Sequence, residues 1–382
     1  MTQLPRAAKV SYYKRPIRHT ALAMGRSALL YLCFYRDATA MSCRFLSRFV
    51  CYSWLLVGSA SAYATVVPSY PALSVNNCGQ TLKFSHPPKR IVTLGQNSTE
   101  IVLALGQGSH LVGSGIWLDP MPRELQDDAS HVPLLSGRHP AFETVLAQQP
   151  DLVAAQFVAD IGPQGRTAQR EQFTQAGIPT YLSPTDCQQK GITSNVDGAR
   201  YAPFDIDTLY QEIRELAAIM GVPAKGHALI VSLQRRIEQA SRQQTAQDRR
   251  SPTVMYWFSS ARLSGDAWIA GAKGAPAWIN RTLKVRNLID SSEEWPAVSW
   301  EQIAAADPDV IVIGSMARRH FTADDVNEKL RFLQQDPVAS QLRAVRENHI
   351  VVLPSRAMNP SLDMVDGVEL VARALRDFGW QR

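Results

Sequence analysis

Arginine and aromatic side chains recur together after apolar, strand-like runs of this sequence. Guanidinium groups pair with carboxylate or catecholate oxygens, and aromatic rings stack on flat surfaces. The mixture indicates a site for a large, flat, anionic ligand. The candidate ligand-binding residues are Asn97, Trp117, Arg138, His139, Trp257, Arg262, Arg318, Arg319 and Arg356. Arg318 and Arg319 are also consistent with solvated surface positions.

Other chemistries find less support in the sequence. It contains no Gly-x-Gly-x-x-Gly fingerprint, no phosphate-binding loop and no Gly-x-Ser-x-Gly nucleophile elbow. Its histidines form no closely spaced metal-binding pair. We therefore predict no catalytic residues, no protein-bound metal and no resident cofactor. An exported enzyme and an exported scaffold protein stay open as less favoured alternatives.

One twelve-residue pattern occurs twice, at residues 142–153 and 300–311. Both copies have the order aromatic, Glu, x, aliphatic, x, Ala, x, x, Pro, Asp, aliphatic, aliphatic. Each copy predicts a short helix that ends before its proline, followed by a buried parallel strand. Two similar α/β lobes with a cleft between them follow from this repeat.

The remaining pattern divides the chain into two lobes and a connecting segment. The N-terminal lobe is predicted at 78–205 and the C-terminal lobe at 249–382, each alternating strands with helices. Between them, the helical segment 206–248 carries Leu229, Leu233 and Ile237 at helical spacing. One long helix is therefore expected to join the lobes, and ligand residues are expected on loops after the strands.

The N-terminal sequence predicts that the protein is exported. Residues 41–64 combine two arginines, an apolar stretch too short to cross a bilayer, and an Ala-x-Ala site, so we predict a signal peptide cleaved after Ala64. Residues 1–40 are interpreted as a non-native extension, which N-terminal sequencing would test. Residues 1–64 hold nine Lys/Arg and one acid, so the rest of the chain has 31 bases and 33 acids. The basic charge therefore gives no support to nucleic-acid binding.

Two cysteines follow the predicted leader, Cys78 and Cys187. In an oxidising compartment a lone pair of cysteines usually forms a disulfide. Closing a loop of about 110 residues would stabilise the fold by about 4–5 kcal/mol on the loop-entropy model. Two free buried thiols are the alternative.

Several segments, taken in order, resemble the periplasmic substrate-binding proteins of ABC importers for ferric siderophores, haem and cobalamin. The matching segments are 89–92, 98–101 with 104–106, 177–179, both copies of the repeat, the central helix and the final strand and helix. The resemblance covers roughly residues 78–380. It departs at 284–287, where a Gly-Gly-x-Asn turn is often found in the family. It implies two Rossmann-like lobes with parallel sheets, joined by one long rigid helix.

The resemblance also implies a function. It suggests a monomeric periplasmic protein that delivers an iron chelate, above all a ferric siderophore, to an inner-membrane ABC importer; iron would enter only within the chelate. Cobalamin or haem is the alternative ligand, and a haem iron would use His139 or Tyr256. In the family, one glutamate on each lobe pairs with permease arginines, and Glu143 and Glu301 match those positions. The alternative explanation for a glutamate at both positions is that each carboxylate is weakly stabilised by the dipole of the helix it starts.

Overall fold

The computed structural model describes residues 70–117, 119–188, 190–191, 199–242 and 250–380. The extension predicted at 1–40 and the signal peptide predicted at 41–64 lie outside these residues. The last residues of the predicted connecting segment, after 242, also lie outside them. Within the described residues, no helix has both the length and the apolar character needed to cross a membrane.

The first lobe contains a hairpin and a five-stranded parallel sheet. Its strands are β1 (Leu73–Asn77), β2 (Gln80–Phe84), β3 (Ile91–Leu94), β4 (Leu111–Gly115), β5 (Leu134–Ser136), β6 (Leu152–Ala155) and β7 (Thr180–Leu182). A short ribbon of β8 (Lys190–Gly191) and β9 (Ala199–Arg200) follows. The sheet order is β5-β4-β3-β6-β7, with every pair parallel. Strands β3 and β6 are buried along their whole length, as their continuous apolar runs predict.

The second lobe contains a six-stranded sheet that is mixed rather than fully parallel. Its strands are β10 (Thr253–Ser259), β11 (Ala267–Ile269), β12 (Arg286–Asn287), β13 (Ala297–Val298), β14 (Val310–Ser315) and β15 (Ile350–Pro354). Strands β10, β14 and β15 are parallel neighbours, whereas β11 and β13 run antiparallel at one edge. The connection from β10 to β11 is short, and a short connection requires an antiparallel partner.

Helices cover both sheets and connect the lobes. They are α1 (Gln96–Ala104), α2 (Gln126–Ala129), α3 (Phe142–Leu146), α4 (Val158–Ile161), α5 (Arg170–Gln175), α6 (Pro184–Cys187), α7 (Asp207–Ile219), α8 (Pro223–Arg242), α9 (Ala275–Thr282), α10 (Trp300–Ala306), α11 (Val326–Gln335), α12 (Arg343–Arg346) and α13 (Met364–Asp377).

The two copies of the sequence repeat adopt the same structure. In the first copy α3 leads into β6, which lies beside the central strand β3. In the second copy α10 leads into β14, which lies beside β10. The residue before each proline, Gln149 or Asp307, has a positive φ, of 48° and 43°. The chain therefore leaves both helices through the same left-handed turn.

The aspartate that follows each proline anchors the neighbouring strand. Asp151 accepts hydrogen bonds from the backbone N–H groups of Lys89 and Arg90, at 2.7 and 2.8 Å, just before β3. Asp309 accepts one from the N–H of Thr253 at the start of β10, at 2.9 Å. The Pro-Asp pair of the repeat thus ends a helix and fixes the adjacent strand.

Helix α8 contributes to the hydrophobic cores of both lobes. Ile230 and Leu233 pack in the core of the first lobe, whereas Ala240 packs in that of the second. Arg236 forms ion pairs with Asp366 and Glu369 of α13. The predicted connecting segment is thus two helices, α7 and α8, separated by a turn at residues 220–222.

A disulfide joins Cys78 to Cys187, with the two Cα atoms 5.9 Å apart. It ties the turn of the β1–β2 hairpin to α6. The buried guanidinium of Arg170 reinforces this join, because it donates to the carbonyl oxygens of Cys78 and Thr180 at 3.0 and 2.7 Å. The hairpin is therefore held to the edge of the first sheet by one covalent bond and by hydrogen bonds.

A buried glutamate on α7 makes stability depend on pH. Glu212 is fully buried and accepts a hydrogen bond from the Ser183 hydroxyl at 2.5 Å. Burial raises the pKa of Glu212 to about 8, because the charged carboxylate loses its hydration. The native state therefore holds this proton more tightly than the unfolded chain does.

We expect Glu212→Gln to remove part of the pH dependence of folding. In the wild type, the stabilisation linked to the proton on Glu212 should be fully present in the free energy of unfolding below about pH 4.5. It should then fall by up to about 1.4 kcal/mol per pH unit as the pH rises through about 8, and level off above that. Urea denaturation between about pH 5 and 9 measures this slope. As a control at an exposed residue, Glu143→Gln should keep the wild-type slope. An unchanged slope in Glu212→Gln would contradict the raised pKa assigned to Glu212.

Candidate ligand-binding cleft

The loops at the carboxyl ends of the two sheets face each other and are joined by hydrogen bonds. Asp119, after β4, accepts a hydrogen bond from the N–H of Ala317, after β14, at 2.9 Å. Asn97, at the start of α1, accepts one from the N–H of Leu362, before α13, at 2.9 Å. The cleft predicted from the repeated lobes therefore lies where ligands bind in open α/β sheets, at the carboxyl edge of the strands.

One half of the cleft is closed by contacts around Arg356. Its Nε donates to Asp363 at 2.6 Å, and its Nη1 donates across the cleft to the carbonyl of Pro120 at 3.3 Å. The hydroxyl of Ser355 donates to Asp119 at 3.4 Å. The cavity that remains here is about 20 Å³, enough for one water molecule. Arg356 was predicted to bind ligand, but its guanidinium is used for contacts within and between the lobes.

Asn97 and Glu100 lie in the same closed half, on α1. Asn97 is 1% exposed, and its Nδ2 has no hydrogen-bond partner among the described residues. Glu100 is also 1% exposed and lines this small cavity together with Asp363 of the opposite lobe. Burial, reinforced by the negative charge of Asp363, raises the pKa of Glu100 well above its usual value.

The other half of the cleft carries unpartnered positive charge. Arg138, after β5, brings its Nη2 to 3.0 Å from Nδ1 of His320 on the opposite lobe. Arg318 is half-buried, and its Nε and Nη1 have no hydrogen-bond partner among the described residues. Burial and the nearby charge of Arg138 lower the pKa of Arg318. Unsatisfied guanidinium donors beside a second arginine form a site with the charge and geometry to bind an anion.

His139 lies next to this cluster and is held by a buried acid. Its Nδ1 is 2.9 Å from the Asp160 carboxylate, which is 1% exposed, but the two groups are not aligned as a hydrogen bond. Its Nε2 lies 3.2 Å from Nη1 of Arg166. Burial raises the pKa of Asp160, and the contact with His139 opposes that rise. The carboxylate therefore fixes which ring nitrogen of His139 points away from the core.

Aromatic pairs line the second-lobe side. Phe258 and Trp295 stack with ring centroids 4.6 Å apart, and Trp268 and Phe321 meet edge to face at 5.2 Å. Phe321 is 40% exposed. On the first lobe, the indole N–H of Trp117 donates to Ser114 at 2.6 Å. The Trp117 ring is half-buried, and its N–H is not available to a ligand because it already donates to Ser114.

The prediction that Trp257 binds ligand is wrong. Trp257 is fully buried and packs edge to face against Trp300, with ring centroids 4.8 Å apart. Side chains alternate along a strand, so Phe258, one residue later, lies on the opposite face of the sheet, where it packs with Trp295 near the carboxyl end of β10. Tyr256 cannot coordinate a haem iron either, because it is fully buried and its hydroxyl donates to Asn280 at 3.1 Å.

A fully buried lysine fixes the ends of the central strands of the second lobe. The Nζ of Lys329 donates to the carbonyls of Phe258 at 2.5 Å and Gly314 at 2.7 Å. These carbonyls belong to β10 and β14, at the edge that faces the cleft. Burial lowers the pKa of Lys329 to about 7. Its three amine hydrogens nonetheless have carbonyl acceptors, since a third bond goes to Trp257 at 3.3 Å.

Two other predicted arginines lie outside the positive cluster. Arg319 is 53% exposed and forms an ion pair with Asp325 of its own lobe at 2.5 Å. Its charge is therefore balanced locally, unlike that of Arg318. Arg262 lies on the exposed turn between β10 and β11, and within the described residues its guanidinium has no ion pair.

Glu143 and Glu301 occupy equivalent positions on the two lobes. Each is the second residue of its helix, α3 or α10, and each is exposed. No ion pair or side-chain hydrogen bond of either residue occurs within the described part of the chain. Their matched exposure is compatible with a partner that contacts both lobes.

A larger cavity, of about 680 Å³, lies on the first lobe beside the disulfide. Two of its basic residues already have partners: Arg170 donates to backbone carbonyls, and Lys190 forms an ion pair with Asp186 at 2.5 Å. Its described lining residues all belong to the first lobe, and one of them, Arg166, contacts His139 at the cleft. Among the described residues there is no group of three or more His, Cys, Asp or Glu able to hold a metal ion.

Several cleft residues were not identified from the sequence. Asp119, Glu100 and Asp363 join the lobes, and the sequence analysis gave none of them a role. Glu100 had a usable signal, because it precedes the apolar run 101–105 of a helix, and a carboxylate buried with such a run requires a partner. Its partner is far away in sequence and could not be named.

Two α/β lobes whose sheet edges face each other, with basic side chains between them, are the architecture of bilobed solute-binding proteins. The family model described as "Periplasmic binding protein" matches residues 91–357, and the chain belongs to this family. The resemblance inferred from the sequence is thereby confirmed.

Known relatives agree with this family. A vitamin B12-binding protein of Vibrio campbellii is 26% identical over 242 residues, which cover 63% of this chain and 74% of that protein. The structure of an Fe3+-hydroxamate transport system protein from Saccharomonospora viridis aligns with a TM-score of 0.63 at 24% identity, over 81% of this chain and 99% of that one. A periplasmic haem-binding protein from Pseudomonas aeruginosa aligns with a TM-score of 0.58 at 22% identity, over 77% and 94%. At these identities the two structures establish the shared fold.

Proposed function

We propose that the protein is an exported solute-binding protein that delivers an iron chelate, a ferric siderophore, to an ABC importer. The observation that carries the proposal is the guanidinium of Arg318, near Arg138, which has two buried donor nitrogens without a partner in the described part of the chain. Buried donors of this kind are costly unless an acceptor satisfies them. An anionic chelate placed in the cleft would supply that acceptor.

The aromatic pairs support a ligand with flat faces. The Trp268–Phe321 and Phe258–Trp295 pairs lie on the second lobe, which also carries Arg318. Rings beside guanidinium groups match the planar, negatively charged rings of a catecholate chelate. In this proposal iron stays inside the chelate, and the protein contacts only the chelating molecule.

Exposed acids on both lobes support docking to a permease. We assign Glu143 and Glu301 to this role because they start equivalent helices and are exposed. A dimeric permease with arginines at two related positions would meet them together. Exposed charge pairs of this kind determine orientation and encounter rate more than affinity.

Cobalamin or haem is the second candidate ligand. Similarity to the Vibrio campbellii vitamin B12-binding protein favours cobalamin. The contact of Asp160 with Nδ1 of His139 orients the ring as in metal-ligating histidines, and Nε2 would coordinate a haem iron once Arg166, now 3.2 Å away, turns aside. Both ligands carry anionic groups that Arg138 and Arg318 can bind.

A titration of residues 65–382 distinguishes these ligands. Ferric siderophores of several chemistries, haem and cobalamin are added while tryptophan fluorescence is followed. Trp268 and Trp295, which pack in the cleft-side aromatic pairs, should report a ligand there. We expect saturable quenching by one ferric complex and none by its metal-free form. Quenching only by cobalamin or haem would select the second candidate, and turnover of the ligand would indicate an enzyme. No saturable response to any of them would contradict the proposal.

A further inference from the structure

Two carboxyl groups from opposite lobes meet in the closed half of the cleft. Glu100 lies on α1 of the first lobe, and Asp363 precedes α13 of the second. They are 1% and 4% exposed, and both line the same cavity of about 20 Å³ together with Arg356. Burying two charged carboxylates beside a single guanidinium is costly, so one of the two carboxyl groups carries a proton.

The surroundings assign the proton to Glu100. Arg356 donates its Nε to Asp363 at 2.6 Å, so the charged form of Asp363 is stabilised. Glu100 has instead an uncharged neighbour on its own helix, Gln96, which donates to it at 3.0 Å. The resulting arrangement is a neutral acid that donates to an ion-paired carboxylate.

Other charged groups near this pair are already neutralised or further away. Asp366 lies next to Asp363 and is ion-paired with Arg236 of α8. Asp119 lies near Arg356 and accepts the N–H of Ala317 and the hydroxyl of Ser355. The groups that face Glu100 directly are thus Asp363, which opposes its ionisation, and Arg356, which favours it.

We propose that the Glu100–Asp363 pair is a proton-dependent latch that holds the two lobes together. With one proton the pair contributes a hydrogen bond across the cleft, and its charge is balanced by Arg356. Loss of that proton places two negative charges in a buried site that contains a single guanidinium. The repulsion is relieved when the lobes separate and water reaches both carboxylates.

The direction of the effect follows from the raised pKa of Glu100 in the closed form. A separated Glu100 would titrate near its ordinary value of 4.5. Closure is therefore fully favoured below that pH and is lost progressively as the pH rises toward the raised pKa. One linked proton changes the ratio of open to closed forms by up to about tenfold per pH unit in this window.

A distance measurement on the ligand-free protein tests the latch. Cysteines at the exposed positions Thr144 and Gln302, one on each lobe, carry a fluorophore pair, while Cys78 and Cys187 remain in their disulfide. Energy transfer is recorded from about pH 4.5 to 9. We expect the wild type to shift toward the open form as the pH rises. Glu100→Gln, which keeps the shape of a protonated acid, should stay closed throughout.

Controls separate the latch from unrelated effects. Asp127→Asn, an exposed change on the same lobe, should follow the wild-type curve. Infrared difference spectra should contain a protonated-carboxyl band that disappears in Glu100→Gln but persists in Glu212→Gln, and this readout does not depend on lobe movement. A pH response that is the same in Glu100→Gln as in the wild type, or the absence of that band, would overturn the proposal. No ligand is used, so failure of the latch and failure of the proposed function are independent results.

Discussion

Replacing Arg138 and Arg318 together by alanine should weaken the binding of an anionic chelate at least about 100-fold. A hydrogen bond to a charged group contributes about 1.5–3 kcal/mol, so losing two arginines corresponds to about a 10²–10⁴-fold increase in Kd. Each single variant should lose about 10- to 100-fold. Arg318 should have the larger effect, because its Nε and Nη1 are buried and lack a partner among the described residues, whereas Arg138 is exposed and contacts His320. Equilibrium titration of each purified variant measures these changes.

Arg319 provides a matched control for Arg318. It is the next residue, but it is 53% exposed and paired with Asp325. Arg319→Ala should therefore change affinity less than about threefold, since exposed ion pairs contribute little. Arg262→Ala, on an exposed turn, should behave in the same way. The anion-binding assignment would fail if Arg319→Ala weakened binding while Arg318→Ala did not.

Reversing the charge of Glu143 and Glu301 together should reduce uptake to the background of cells that lack the protein. Both carboxylates are exposed at the start of equivalent helices, and neither contributes to the cleft or to the described ion pairs. Ligand affinity of Glu143→Arg/Glu301→Arg should therefore remain within about twofold of wild type. The expected cause of the loss is repulsion from permease arginines, which would act on association.

Two measurements separate docking from a helix-dipole role. Loss of a first-turn acid costs about 0.3–1 kcal/mol of stability. Thermal unfolding of the double variant therefore shows how much of the loss of uptake comes from reduced stability. Charge reversal at exposed acids elsewhere, Asp127→Arg with Glu347→Arg, serves as the control and should leave uptake unchanged. Normal uptake by the Glu143/Glu301 variant would refute the docking assignment.

The repeat shows how far local sequence can determine a structure. A helix that stops at a proline and an apolar run that follows it are local properties, so residues 142–153 and 300–311 each predict their own helix and strand. Both predictions are confirmed, and both strands take the same place beside a central strand. The hydrogen bonds of Asp151 and Asp309 to distant backbone N–H groups required the neighbouring strand to be in position.

Side-chain direction was harder to predict. Trp257 and Phe258 are adjacent aromatics on β10, and composition alone cannot tell which face of the sheet each one packs against. Both faces carry a core: Trp257 packs against Trp300 on one, and Phe258 packs against Trp295 on the other. Arg318 and Arg319 differ in the same way, since Asp325 is positioned to neutralise only the second.

Two related α/β lobes, a helical connection, and basic and aromatic loops at the strand ends follow from local periodicity and turn chemistry, and the sequence was enough to predict them. Which charges already have partners depends on the fold. There Arg356 contacts Asp363 and Pro120, two nitrogens of Arg318 lack a partner among the described residues, and Glu100 meets Asp363 from the opposite lobe. The physical reason is that the charge state and availability of a side chain depend on its neighbours in space, and here those neighbours are more than 200 residues apart in the chain for both Arg356–Pro120 and Glu100–Asp363.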